Sequence, residues 1–185
     1  PYGASRTTST HTHTGGTDSL GSNSKTHINP SWIWNDATAG TGSVFISGNG
    51  GNNGEVWQVL FDETTNTLDM AGATMVLSLP DGELVNSIHY YLGHLAVGTS
   101  RGIRICPVNA ASTGSYVVMG PLLIELDNST NGFTEKGSYL YAATSALNDT
   151  GDYTHGVLIR IDLSQQFDDG TFAWAYDLEY RSSIN

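Results

Sequence analysis

Three times along this chain an apolar run is followed by a small-residue turn, a glycine and a second apolar run. The clearest copy is Gly93–Val108, GHLAVGTSRGIRICPV. Leu95, Ala96 and Val97 lead into a turn through Thr99, Ser100, Arg101 and Gly102, and Ile103, Arg104 and Ile105 alternate after it. Period-two alternation bounded by glycine predicts a β-hairpin. The other copies are Gly42–Phe61, GSVFISGNGGNNGEVWQVLF, and Gly137–Leu163, GSYLYAATSALNDTGDYTHGVLIRIDL. Their turns differ in length while the strands keep their pattern, which is the variation hairpin loops tolerate. Leu95, Val97, Ile103, Ile105, Ile159 and Ile161 are therefore expected to be buried on neighbouring strands.

Extending the pattern gives three groups of four strands. The first is Ser31–Asn35, Ser43–Gly48, Glu55–Phe61 and Thr74–Leu79; the second is Asn86–Tyr91, Leu95–Thr99, Ile103–Val108 and Leu122–Leu126. The third is Gly132–Glu135, Tyr139–Thr144, Val157–Leu163 and Thr171–Leu178. The second strands, LAVGT and LYAAT, are small and apolar throughout, so both faces should be covered. The last strands alternate, with Met75, Leu77 and Leu79 in one and Phe172, Trp174, Tyr176 and Leu178 in another, so one face of each should be buried. A repeat of about 45–50 residues is that of propeller blades. The expected fold is all-β and β-propeller-like, with three four-stranded antiparallel blades at about 31–83, 84–128 and 129–182. Three blades leave open edges, and propellers use about four to eight. They are expected to belong to a larger or multi-chain propeller, and the sequence, which opens on Pro1, is expected to be part of a longer chain.

Composition agrees with many turns and no helices. Glycine occurs 22 times, only 14% of residues are charged, mean hydropathy is −0.20, and no helix-period segment of useful length is found. With 7 basic and 18 acidic residues the net charge is −11, which repels phosphate backbones and argues against nucleic acid as a partner. No run approaches the roughly 18 apolar residues of a membrane span, and no signal peptide opens the sequence. The single Cys106 reads as a small buried hydrophobe, since no local motif supplies a base to activate it.

Residues 1–30 form a polar arm in which Leu20 and Ile28 are the only large apolar side chains, too little to order it alone. This arm is expected to be held by another subunit. In Thr10-His11-Thr12-His13-Thr14, His11 and His13 share one face of an extended strand and could bind a metal if three chains met around an axis. The pattern resembles the iron-binding repeats of trimeric phage fibre needles; otherwise both are solvated histidines, and His27 has no role. Asn148-Asp149-Thr150-Gly151-Asp152 places Asp149 and Asp152 as oxygen ligands of a calcium-like loop, or as parts of an Asx-rich turn. Asp168-Asp169-Gly170-Thr171 with Trp174 lacks the spacing of the Asp-box of sialidase propellers and reads as an acidic turn. The glycines of Gly48–Gly54 lead into a strand, not a helix, so they do not form a phosphate loop. Asn128-Ser129-Thr130 and Asn148-Asp149-Thr150 match glycosylation sequons, meaningful only in a secreted eukaryotic chain.

No nucleophile–base order or paired-carboxylate motif stands out, no cofactor is expected, and the chain is read as no enzyme. Inner-strand residues Trp32, Trp34, Asn35, His89, Tyr90, Thr134 and Glu135 make a mostly neutral set. Trp32, Trp34, Tyr90, Tyr91 and Tyr153 could stack on sugars or pack in the core, and Tyr153 is expected in an exposed loop.

Leu79–Val108, LPDGELVNSIHYYLGHLAVGTSRGIRICPV, with GPLLIEL at Gly120–Leu126 and RIDLSQQFDDGTFAWAYDL at Arg160–Leu178, resembles the β-propeller repeats of tail-associated proteins of tailed bacteriophages. The resemblance spans residues 79–178, and its motifs are structural. It implies a virion protein of the tail tip, baseplate or fibre, a scaffold that also touches a host-surface glycan or receptor. Other virion proteins and copies of itself in a homo-oligomer would be its partners. Two other functions stay open from the residues alone: a secreted or cell-surface binding module, and a glycan-acting propeller enzyme whose active site lies outside this segment.

Overall fold

The computed structural model describes residues 33–40, 42–50, 53–111, 114–125, 128–147 and 153–180. Among them every regular element is a strand, and all pair antiparallel in three sheets. No helix among the described residues is long and apolar enough to cross a membrane. The described residues divide into two compact units, one up to Val85 with 109–117, the other 86–108 with those from Val118 on.

The first sheet runs β1 (Ile33–Gly40), β2 (Ser43–Gly50), β3 (Asn53–Asp62) and β4 (Thr67–Ser78) in chain order. The β3–β4 turn is built by Asp62. Its carboxylate accepts the Thr64 N–H at 2.8 Å and the Thr65 hydroxyl at 2.8 Å, and Asn66 takes φ 55° to complete the reversal. These bonds hold the Asp62 carboxyl below its usual range, the Thr65 hydroxyl first among them. Because the turn is tight, β4 begins at Thr67 opposite Asp62, seven positions earlier than alternation alone placed it. A register shift at Val56/Trp57 sets Val56 against Leu77 and Trp57 against Met75. An extra residue in a strand resets which side follows. Leu77 and Ala73 are thus buried while Met75 is 44% exposed, so the expected run Met75-Leu77-Leu79 does not share one face.

Trp57, Val59 and Ala73 form the core here, with Ile46 against them. The glycine-rich stretch at the β2–β3 turn receives the segment that leaves β4. Gly54 donates to the Glu83 carbonyl at 2.8 Å and accepts from Leu79 N–H at 2.8 Å, while the Asn49 amide grips both backbone groups of Val85 at 2.8 and 3.0 Å. A Cβ on Gly54 would sit 2.5 Å from the Val85 nitrogen, so only glycine admits this approach.

Beside Trp57, whose indole N–H donates to it at 3.2 Å, the Glu55 side chain is buried, and burial raises its pKa above 4.5. A carboxyl with a raised folded pKa contributes its stability below the unfolded value and loses it as pH rises through the folded one. Glu55→Gln is therefore expected to gain on the order of 1 kcal/mol at pH 7, a buried polar group's desolvation cost, and nothing at pH 4. Urea midpoints of the two proteins at both pH values measure it; an equal difference at pH 4 and pH 7 would refute it.

The middle sheet has the order β5 (Val85–Tyr91), β6 (His94–Thr99), β7 (Gly102–Ala111) and β8 (Gly114–Val117), with β9 (Leu122–Glu125) also pairing β7. Strand β8 was not expected from the sequence. Between β6 and β7, Leu95 faces Cys106, Ala96 faces Ile105 and Gly98 faces Ile103. Leu95 to Thr99 are all buried, as the apolar LAVGT run predicts. Gly98 lies against both neighbours: a Cβ would meet the Ser87 hydroxyl at 2.5 Å and Thr130 at 2.8 Å.

The third sheet runs β10 (Asn128–Lys136), β11 (Tyr139–Leu147), β12 (Tyr153–Gln166) and β13 (Phe172–Tyr180) in chain order. Its inner face gives Leu140, Ala142, Ile159, Ile161, Leu163 and Phe172 to a core completed by Ala96, Ile103, Ile105 and Ile124 of the middle sheet. Two stacked sheets interdigitate in this way, each buried Ile contributing about 1.5–3 kcal/mol. All six apolar residues singled out by the hairpin pattern are buried. The LYAAT run departs from expectation, however. Leu140, Ala142 and Thr144 are buried, Tyr141 is half-buried and Ala143 exposed, so β11 has one wet face. Trp174, assigned by alternation to the buried side of β13, is 40% exposed on this edge strand.

Candidate functional site

The wet face of the third sheet brings aromatic, cationic and anionic side chains together. Across the strands Tyr139 is opposite Asp162 and Asp162 opposite Ala173; next to them Tyr141 is opposite Arg160 and Arg160 opposite Ala175. Antiparallel partners share a side, so Tyr139, Arg160 and Asp162 stand together while Leu140, Ile159 and Ile161 go to the core. The two alanines leave a hollow beside the long side chains. It is an open groove of about 210 Å³, lined by Tyr139, Arg160, Asp162, Gln165, Ala173, Trp174 and Ala175.

The polar groups of the groove are held in place. The Arg160 guanidinium lies over the Tyr139 ring, 5.2 Å from its centre, a cation–π contact. Asp162 accepts the Ser164 hydroxyl at 2.6 Å, the Ser164 N–H at 3.0 Å and the Gln165 amide N–H at 2.8 Å. These bonds, the Ser164 hydroxyl first, keep its carboxyl below the usual carboxylate range, so it is ionised at neutral pH. Residues 163–165 are free to fold back on it because the β12–β13 register jumps from Asp162 opposite Ala173 to Gln166 opposite Phe172. Tyr139 is 37% exposed, which leaves aromatic surface open to a ligand, while Trp174, opposite Ile161 across the strands, carries its ring to the other face of the sheet.

A second constellation joins two residues read from the sequence. His89 on β5 and Glu135 on β10 meet at 2.5 Å, Nε2 to Oε2, with side chains 25% and 37% exposed. The Tyr91 ring lies 6.5 Å from the imidazole, and its hydroxyl donates to the Gly137 carbonyl at 2.7 Å. A general base needs a free nitrogen within about 2.6–3.2 Å of the proton it takes. Here Nε2 is engaged by Glu135, which ties the first strands of two sheets and leaves Nδ1 as the ring's other nitrogen. Nearby, His94 packs edge-on against Phe172 with ring centres 5.2 Å apart, and burial lowers its pKa.

Comparison with protein-family models, curated proteins and solved structures finds no match. The site residues read from the sequence divide accordingly on their own geometry. His11 and His13, and Asp149 and Asp152, lie outside the described residues, as does Trp32. Among the described residues no three His, Cys, Asp or Glu side chains are grouped to hold a metal ion. Tyr153, expected in a loop, opens β12 opposite Leu147. Cys106 is buried and its Sγ accepts the Gly120 N–H at 3.4 Å. In the acidic turn Asp169 accepts from Thr171 N–H at 2.9 Å, and Gly170 takes φ 82°, as a turn requires. The groove itself was missed. Its signal was the polar phase of two strands, Tyr139/Tyr141 and Arg160/Asp162, set beside Ala173 and Ala175.

Proposed function

We propose that this chain is a structural component of a phage virion, part of a tail tip, baseplate or fibre, with a surface that contacts the host. In this reading each sheet is a blade, and the blades belong to a larger or multi-chain β-propeller. The resemblance of residues 79–178 to tail-associated propeller repeats is its source. The observation that carries it is that all three sequence repeats coincide with separate antiparallel sheets. Two of these are four-stranded and follow chain order throughout; the middle one carries an extra strand. His89 tied to Glu135 and Cys106 buried among strands are at home in a scaffold. Partners are other virion proteins and further copies of the chain.

The test is quantitative mass spectrometry of purified particles against the particle-free fraction of the same lysate. The chain should sediment with the particles in fixed ratio to known tail components. Recovery only from cell envelopes would favour the cell-surface binding module instead. Incubation with host polysaccharide and peptidoglycan checks the enzymatic alternative: release of reducing ends, abolished by His89→Ala or Glu135→Gln, would overturn the scaffold role.

A further inference from the structure

We infer that the groove on the wet face of the third sheet is a saccharide subsite, one that takes a single sugar ring of a surface polysaccharide. The inference deepens the host-contact part of the proposed function and rests on it for the source of the sugar.

Three observations converge on this ligand class. Tyr139 is a large aromatic ring left partly open beside a hollow, and such a ring buries an apolar face well. A pyranose has one, formed by its axial C–H bonds. Around the Tyr139 ring stand groups suited to hydroxyls: the N–H fork of Arg160, the Asp162 carboxylate, and the Gln165 amide, fixed by its 2.8 Å bond to Asp162. These groups are oriented before any ligand arrives, which lowers the ordering cost of binding.

Size and charge exclude competitors. At about 210 Å³ the groove is below the roughly 300–1,000 Å³ of sites for drug-sized ligands and fits one ring. A protein partner of standard size covers about 800 Å² of each surface, far more than this hollow. Phosphate-bearing ligands meet an ionised Asp162 beside Arg160 on a chain of net charge −11. Neutral polyhydroxyl compounds incur neither penalty.

Saturation-transfer NMR and calorimetry on the full chain, with methyl glycosides of glucose, galactose, mannose and N-acetylglucosamine and separately with purified host-envelope polysaccharide, test this. At least one glycoside or the polysaccharide should bind, the polymer more tightly through repetition. Tyr139→Ala should weaken binding at least ten-fold. Ala175→Gln, which fills the hollow and removes no contact, should do the same with an unchanged melting temperature. Absence of binding by every sugar and by the polymer, from a chain shown to be folded, would sink the proposal, as would binding that survives both variants. The virion assignment fails separately: sugar binding by a chain absent from particles keeps the subsite and removes the phage setting.

Discussion

Ile105→Asp is expected to unfold the unit that contains it at room temperature. Ile105 is 1% exposed and sits where the middle sheet meets Leu140, Ile159 and Ile161 of the third. A carboxylate there loses its hydration and finds apolar neighbours, at a cost of several kcal/mol even after it takes up a proton. A domain's whole margin is only about 5–15 kcal/mol. Ile105→Val, which removes one methylene, should cost only about 0.5–1.5 kcal/mol. Urea denaturation followed by circular dichroism separates them. An Asp variant with a near-wild-type midpoint would mean that Ile105 is not in a closed core.

Gly120→Ala should be nearly as damaging, although it adds a single methyl. That methyl would lie 2.0 Å from the Ile105 carbonyl oxygen and 2.8 Å from its carbon, both backbone atoms that cannot swing aside. The glycine is also held from both ends: its N–H donates to Cys106 Sγ at 3.4 Å, and its carbonyl accepts from Arg104 Nη1 at 2.9 Å. Overpacking usually costs about 1–3 kcal/mol, and here relief requires the segment before β9 to move off β7, so a loss at or above the top of that range is expected. Gly137→Ala is the control. Gly137 has φ 65° and nothing within 4 Å of a Cβ, so only backbone strain of about 1–2 kcal/mol applies. Equal losses in the two variants would refute the close approach at Gly120.

Strand positions were legible because alternation and glycine punctuation are local properties of the chain. Leu95, Ile103 and Ile159 are buried as their pattern demands. What alternation does not encode is a register shift, and each one displaced an expectation. The shift at Val56/Trp57 put Met75 outside; the one at Asp162/Gln166 folded Gln165 over Asp162 and made the groove. The early start of β4 depended on Asp62 acting as a turn acceptor, a side-chain effect outside any hydrophobic pattern. The groove stayed hidden for a related reason. LYAAT is apolar enough to suggest two covered faces, and only the paired strands reveal that Tyr139, Arg160 and Ala175 share the uncovered one. His89 and Glu135 were each visible as inner-strand residues, but their contact spans 46 positions and comes from tertiary packing.

The chain-order pairing of the first and third sheets has a kinetic consequence. Each of their hairpins joins segments adjacent in sequence, so it closes with little loop entropy, on the microsecond scale of isolated hairpins. Ile105 and Phe172, by contrast, enter one core only after both of their sheets exist. The slow step of refolding is therefore expected to be the meeting of these two sheets. Mutations in hairpin turns such as Asp62–Thr67 should alter how fast strands appear, and core mutations how fast they lock together.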